Sequence, residues 1–403
     1  MRFSLSLIGI VVSVGLFGQA TTYDFPNPVD TDDKEISVQE KKTFNQGDLF
    51  VDNQFDGARI NGLSFTNDST VKILITPENE PINRSPWYAF RTWTTGISKT
   101  VTVTIDYNKK YKHRYWPKVS DDRRSWTRID ESMISLADDT LSFTFTFEVS
   151  PDTTWISAQP LETSQDVRAW SQDIAKNKVG SFDVIGKSRM GRDLFHIKLG
   201  TGKKTVVLIS RQHPPEVTGY YALKAFVGRL ADNSKLSKSF LKKHTVHIYP
   251  LLNPDGVDMG HWRHNTGGVD LNRDWAYYKQ PEIKQIADHI VRTVKENNSE
   301  VAAGLDFHST YYDVYYTTAR NLETNYAAFT DDWLGYIRDN IEGYEINDQP
   351  SGLGSPVSKG WFITQFNVPG ITFEIGDDTP PEFIEKKGKI SAEGMMKVLL
   401  KSE

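Results

Sequence analysis

The chain has 403 residues, a formal net charge of −5, 38% hydrophobic and 25% charged residues, and no cysteine. That balance is ordinary for a globular protein. It excludes a disulfide-stapled scaffold and gives none of the concentrated basic footprint of a dedicated nucleic-acid binder, so no nucleic-acid partner is expected.

The first 20 residues read MRFSLSLIGIVVSVGLFGQA: Arg2, an apolar run, then the small-residue site Gly18-Gln19-Ala20. The run is shorter than the ~20 apolar residues of a membrane span. Residues 1–20 are therefore expected to be a cleaved export signal, with an uncleaved anchor as the alternative. No comparable apolar segment follows, so no stable membrane insertion is expected after cleavage. The expected location is periplasmic or secreted, in a bacterial-like setting.

Residues 21–46 are polar and turn-rich, and read as a tail leading into structure. TVKILIT (70–76), KTVTVTIDY (99–107) and LSFTFTFEV (141–149) then alternate apolar and polar residues with period two. Turn clusters separate such runs and no long helical pattern intervenes. An antiparallel β-sandwich domain is expected over residues 21–160.

Past about residue 160 the pattern changes. LETSQDVRAWSQDIAKN reads as a helix with Thr or Ser near its start. TVVLIS precedes a helical VTGYYALKAFVGRL; HTVHIYPLL, VAAGLDF and PGITFEI read as further strands. PEIKQIADHIVRTVKEN, FTDDWLGYIRDNIEGY and a final AEGMMKVLLKS read as helices. Strand–helix alternation predicts an α/β domain over 161–403, a mixed, mostly parallel sheet flanked by helices.

The unusual polar residues fall at strand ends. His213 and Glu216 straddle two prolines after TVVLIS, in RQHPPEVTGYY; His308 follows VAAGLDF; Glu374 ends PGITFEI; NPDG (253–256) follows HTVHIYPLL. In open α/β sheets, ligands bind beyond the carboxyl ends of strands. A catalytic zinc site takes three protein ligands and keeps one position open. His213 and Glu216 supply a near pair and His308 a remote third; an ordinary surface turn is the other reading of HPPE. His244 and His247 lie in or beside a strand and read as structural or solvated. Arg263, Asn272 and Arg273, around GVDLNRDW, have the chemistry of a carboxylate clamp, against the alternative of a solvated loop.

HPPE, NPDGV, GVDLNRDW, DFHS and TFE occur in the order and context of the M14 zinc carboxypeptidase family, and GKSRMGRDL (186–194) resembles its opening strand-turn signature. SPWYAFRTWTTG (85–96) and KYKHRYWPKVSDDRRSW (110–126) resemble the β-domain that precedes the catalytic domain in the cytosolic carboxypeptidase subgroup. The resemblance implies one Zn²⁺ per chain, held by His213, Glu216 and His308, with Asp270 orienting the His213 ring. It implies water activated by Zn²⁺ and by Glu374 as general base, with Arg263 polarising the scissile carbonyl. Asn272 and Arg273 would grip the terminal carboxylate of a peptide or protein tail, which restricts hydrolysis to the chain end. The segment SGLGSPVSKGWFITQF lacks the mobile tyrosine of many members, and its one basic residue, Lys359, is expected to favour an acidic terminal side chain, with a solvated lysine as the other reading. Two rival readings remain: an N-acyl amino acid amidohydrolase of the aspartoacylase type, and a catalytically weak peptide-binding module.

Overall fold

The structure, a computed structural model, describes residues 18–401. The expected export signal therefore lies almost wholly outside the described residues. Among them, no helix is long and apolar enough to cross a membrane.

Two β-sheets form the N-terminal region, one of six strands and one of five. They pack face to face. Val71, Ile73, Val103 and Phe145 of one sheet share a core with Leu49, Val51 and Phe90 of the other. The period-two runs explain this: in Lys99–Asp106 each valine and isoleucine is buried, while the threonines between them are only partly covered. The pairings are antiparallel except one, since Thr70–Leu74 runs parallel to Lys99–Asp106.

The C-terminal region is built on a seven-stranded mixed sheet. Its central strands are parallel: His244–Tyr249 pairs with Lys204–Ser210, which pairs with Glu300–Thr310, which pairs with Gly370–Gly376. An antiparallel hairpin, Gly180–Lys187 and Asp193–Gly200, extends one edge, and Val314–Tyr316 closes the other. Both faces are covered, which is why TVVLIS is continuously apolar. Val206 and Leu208 pack towards helices Val217–Leu230 and Pro381–Lys401, and Val207 and Ile209 towards Pro281–Glu296 and Ser358–Phe366.

NPDG proves to be scaffold. Asn253 caps the short helix Pro254–Met259, its side chain accepting from the Gly256 amide at 2.9 Å and donating to the Gln212 carbonyl at 3.1 Å. Asp255 accepts from Ser188 Oγ, the Met190 amide and Arg192, and so locks the 188–192 turn of GKSRMGRDL.

Residues 20–37 are more than a tail leading into the sandwich. They run as a strap tied to the α/β region and then to the β-region: the Asn27 amide donates to the Gly354 carbonyl, Lys34 to Gly267 and Ser37 to Glu78. Asp33 pairs with Arg189, and Phe25 is buried.

The two regions are locked by a buried ion pair. Arg114 of the β-region donates through Nε to Asp377 at 2.8 Å, and the partners are 6% and 4% exposed. Its other nitrogens reach Ser85 Oγ and the Ser309 carbonyl. Even so, burial pushes the Asp377 carboxyl up to about 6, against the pull of Arg114. Removing one partner of such a pair strands the other in the interior. Arg114→Ala is expected to lower the unfolding free energy by about 3 kcal/mol, read by urea denaturation with tryptophan fluorescence; a change below about 1 kcal/mol would show that the pair is not a brace.

Candidate metal centre

The turn that carries His213 is held from behind. Arg211 takes a left-handed backbone conformation, φ 54°, and folds its buried guanidinium back to donate to the Pro214 carbonyl at 2.9 Å. Glu216 stands at the N-cap of helix Val217–Leu230 but makes no capping hydrogen bond with its side chain. Its carboxylate turns inward instead, to His213 Nδ1 at 2.8 Å and His308 Nδ1 at 2.6 Å. Gly219 lets that helix lie against the strand bearing His308: a Cβ there would sit 2.2 Å from the His308 carbonyl oxygen.

One ring nitrogen from each histidine and one oxygen of Glu216 all lie within 4.8 Å of one another, and the three side chains are buried. The far nitrogens are both engaged by carboxylates. His213 Nε2 meets Asp270 at 2.8 Å and His308 Nε2 meets Asp306 at 2.7 Å. A ring whose Nε2 hydrogen is donated to a carboxylate presents the Nδ1 lone pair, the tautomer a metal requires. Burial disfavours charge on Glu216 and Asp270, yet both are held well below the usual carboxylate range, Glu216 by the two imidazoles and Asp270 by Arg263 and His213. Burial likewise disfavours a proton on His308, but Asp306 and Glu216 drive its proton affinity well up. A cluster so rich in carboxylates demands positive charge between the rings, and His₂Glu is a donor set that suits Zn²⁺. The residues present fit that ion.

Glu374 lies on the neighbouring strand, in register opposite His308. Its Oε2 is buried without a hydrogen-bond partner. Burial raises this carboxyl to about 8; His308 and Arg263 oppose the rise, while Glu216 and Asp306 add to it. Arg263 donates from Nε to Asp270 Oδ2 at 2.8 Å, which fixes the guanidinium. Asp270 also caps the short turn Leu271–Arg273 through the Asn272 amide, so it acts as turn residue and ring orienter at once. Asn272 is held by the Ser358 amide on its Oδ1 at 2.9 Å, and Arg273, partly exposed, donates to the Asn272 carbonyl.

His213, Glu216, His308, Glu374, Arg263, Asn272 and Arg273 border one cavity of about 340 Å³, while Asp270 and Asp306 stand behind its wall. Lys359 borders it too, from helix Ser358–Phe366. Its ammonium donates to the Thr317 carbonyl at 2.9 Å and to Ser351, and burial pushes it down to about 8 against the pull of Asp348. The sequence reading missed several contributors. Asn83 and Arg114 enter the cavity wall from the β-region, and Tyr316 from the edge strand. Asp306, fully buried, collects His308 Nε2, Gln212 Nε2 at 2.6 Å and Ser358 Oγ. Its signal was available: in DFH, Asp306 and His308 are two apart on a strand and share a face.

Residues 167–395 match the zinc carboxypeptidase family, and residues 51–158 match the cytosolic carboxypeptidase N-terminal domain. The chain belongs to the zinc carboxypeptidase family. It is 26% identical over 257 residues to an uncharacterized protein of Zymomonas mobilis, covering 61% of this chain and 65% of that one. It is 22% identical over 289 residues to cytosolic carboxypeptidase 6 of Caenorhabditis elegans, covering 66% and 63%. The chain thus spans slightly less than two thirds of either relative. A metallo-carboxypeptidase structure from Burkholderia cenocepacia shares the fold at TM-score 0.73 and 18% identity, over 88% of this chain and 100% of that one.

Asp306→Asn keeps the shape but removes the charge that holds the His308 tautomer. It is expected to weaken zinc binding 10- to 100-fold, in competition titrations against a chromophoric chelator; wild-type affinity in a folded variant would deny Asp306 that role.

Proposed function

We propose that the protein is a zinc-dependent metallocarboxypeptidase that hydrolyses the C-terminal peptide bond of peptides or protein tails. The observation that carries this reading is the convergence of His213, Glu216, His308, Glu374, Arg263 and Arg273 on one cavity. In this reading His213, Glu216 and His308 hold one Zn²⁺, which supplies a Lewis acid for the scissile carbonyl and for water. Asn272 and Arg273 take the terminal carboxylate, so only a chain end is positioned for cleavage. Arg263 already spends Nε on Asp270; its terminal nitrogens stabilise the oxyanion that develops on the carbonyl. Glu374 accepts a proton from water at Oε2 and delivers it to the departing amine. The raised proton affinity of this carboxyl suits the second half of that task.

The proposed organisation is an export signal over 1–20, a β-domain over 21–160 and a catalytic domain over 161–403. Its support is the composition of the first 20 residues and the two matched ranges. Lys359 makes the pocket selective for an acidic terminal side chain. Its ammonium has no carboxylate partner among the described residues and meets only carbonyl and hydroxyl oxygens. A buried cation in contact with no carboxylate, and drawn only at a distance by Asp348, gains from an anionic guest.

The test is zinc-loaded protein on peptides varied at the C-terminus, with N-acyl amino acids alongside. Release of single C-terminal amino acids is expected, and Glu374→Gln should reduce kcat by about 10²- to 10⁴-fold while zinc still binds. Turnover of N-acyl amino acids alone would transfer the protein to the amidohydrolase reading. Lys359→Met is expected to abolish the preference for C-terminal Glu over Leu; a preference that survives the substitution removes Lys359 from the specificity argument.

A further inference from the structure

The β-region's Glu78 is fully buried, two residues beyond the run TVKILIT and far in sequence from the site. Its carboxylate accepts three consecutive backbone amides of the loop that bears Arg263: Trp262 at 2.8 Å on Oε2, and Arg263 at 2.9 Å and His264 at 2.6 Å on Oε1. Burial works against this charge, but His261, Arg59, His264 and the loop amides hold the carboxyl below its ordinary value. Hydrogen bonds to an ionised acceptor are about twice as strong as neutral ones.

Neighbouring contacts tie down both flanks of the same loop. Arg59 donates to the Gly260 carbonyl at 3.1 Å, and Asn79 donates to Gly268 at 3.0 Å and meets His264 Nδ1 at 2.6 Å. Trp262 is buried in the sandwich core, edge-on to Tyr111 at 4.9 Å, and its indole donates to the Trp87 carbonyl. From the α/β side the loop has Asp270, two residues past Gly268, which grips Arg263 Nε. Arg263 is therefore fixed at its side chain by the metal-proximal carboxylate and at its backbone by the β-region.

We propose that Glu78 is a positioning residue for Arg263, and that the β-region is thereby a working part of the catalytic centre. The proposal rests on the carbonyl-binding role given to Arg263 above. The three amides converge on both oxygens of one anion, so a neutral isostere fails: a Gln side chain offers one oxygen and turns an NH₂ group against a backbone N–H. A loop so released moves the guanidinium away from the developing oxyanion, and a displacement of about 1 Å is worth on the order of 100-fold in rate.

The experiment uses the full zinc-loaded chain with Glu78→Gln, and Glu78→Asp as the milder variant that keeps the charge and shortens the reach. In Glu78→Gln, hydrogen–deuterium exchange at 262–264 should rise at least about tenfold, and kcat on the peptide panel should fall about 100-fold. KM and zinc affinity should stay within about twofold of wild type, and Glu78→Asp should fall between the two in both exchange and kcat. Unchanged protection of 262–264, or unchanged kcat beside increased exchange, overturns the proposal. So does a loss of kcat that only tracks lost zinc or global unfolding in both variants. Were the wild type to hydrolyse no peptide, the function reading would fail by itself, while the exchange measurement would still decide whether Glu78 holds the loop.

Discussion

The Glu216 carboxylate, buried between two imidazoles, is the constraint on which the rest of the site depends. It cannot cap its own helix and also face His213 and His308, and it does the latter. Each imidazole must then be backed by another acid, Asp270 behind His213 and Asp306 behind His308. Those acids recruit the next layer: Arg263 onto Asp270, and Gln212 and Ser358 onto Asp306. A buried cluster of this kind is costly unless nearly every member is partnered. Two carboxylate oxygens of the cluster are left without a hydrogen-bond partner, Asp306 Oδ1 and Glu374 Oε2, and of these two residues only Glu374 borders the cavity.

The same logic explains why two regions share one site. The α/β sheet delivers His213, Glu216 and His308, the candidate metal-holding residues, at the ends of adjacent parallel strands, but the loop carrying Arg263 leaves that sheet and leans on the sandwich. Arg114 crosses in the other direction and meets Asp377, three residues past Glu374. Asn83 and Arg114 border the cavity itself. The strap over 20–37 adds a third set of ties between the regions. The cleft is therefore a property of the assembled chain, and its wall is drawn from segments some 200 residues apart in sequence.

Much of this architecture is legible in the chain. The helix over VTGYYALKAFVGRL has the bounds of its apolar pattern, Val217–Leu230, because it buries a broad face under the sheet. The strand TVVLIS carries a continuous apolar run because both faces of the sheet are covered, and HTVHIYPLL and PGITFEI, which interleave polar residues, are almost wholly buried for the same reason. The short helices Lys235–Lys243 and Ser358–Phe366 went unseen, since so few turns give little periodicity. One strand pairing of the sandwich is parallel where alternation suggested only antiparallel neighbours. Alternation reports which face is buried and is silent about the partner's direction.

The sequence by itself determined the residue types of the site and their order: an HPPE turn, an asparagine–arginine pair, a later histidine at a strand end, a glutamate on the last strand. These are local facts, carried by turn chemistry and by the period of a strand. Only the tertiary structure decided that Lys359 is bound to Thr317 and Ser351, that Asp306 stands behind His308, and that Glu78 reaches Arg263 across the region boundary. The reason is physical: such contacts pair a buried charge with whatever donor folding brings within about 3 Å, and distance along the chain carries no information about that.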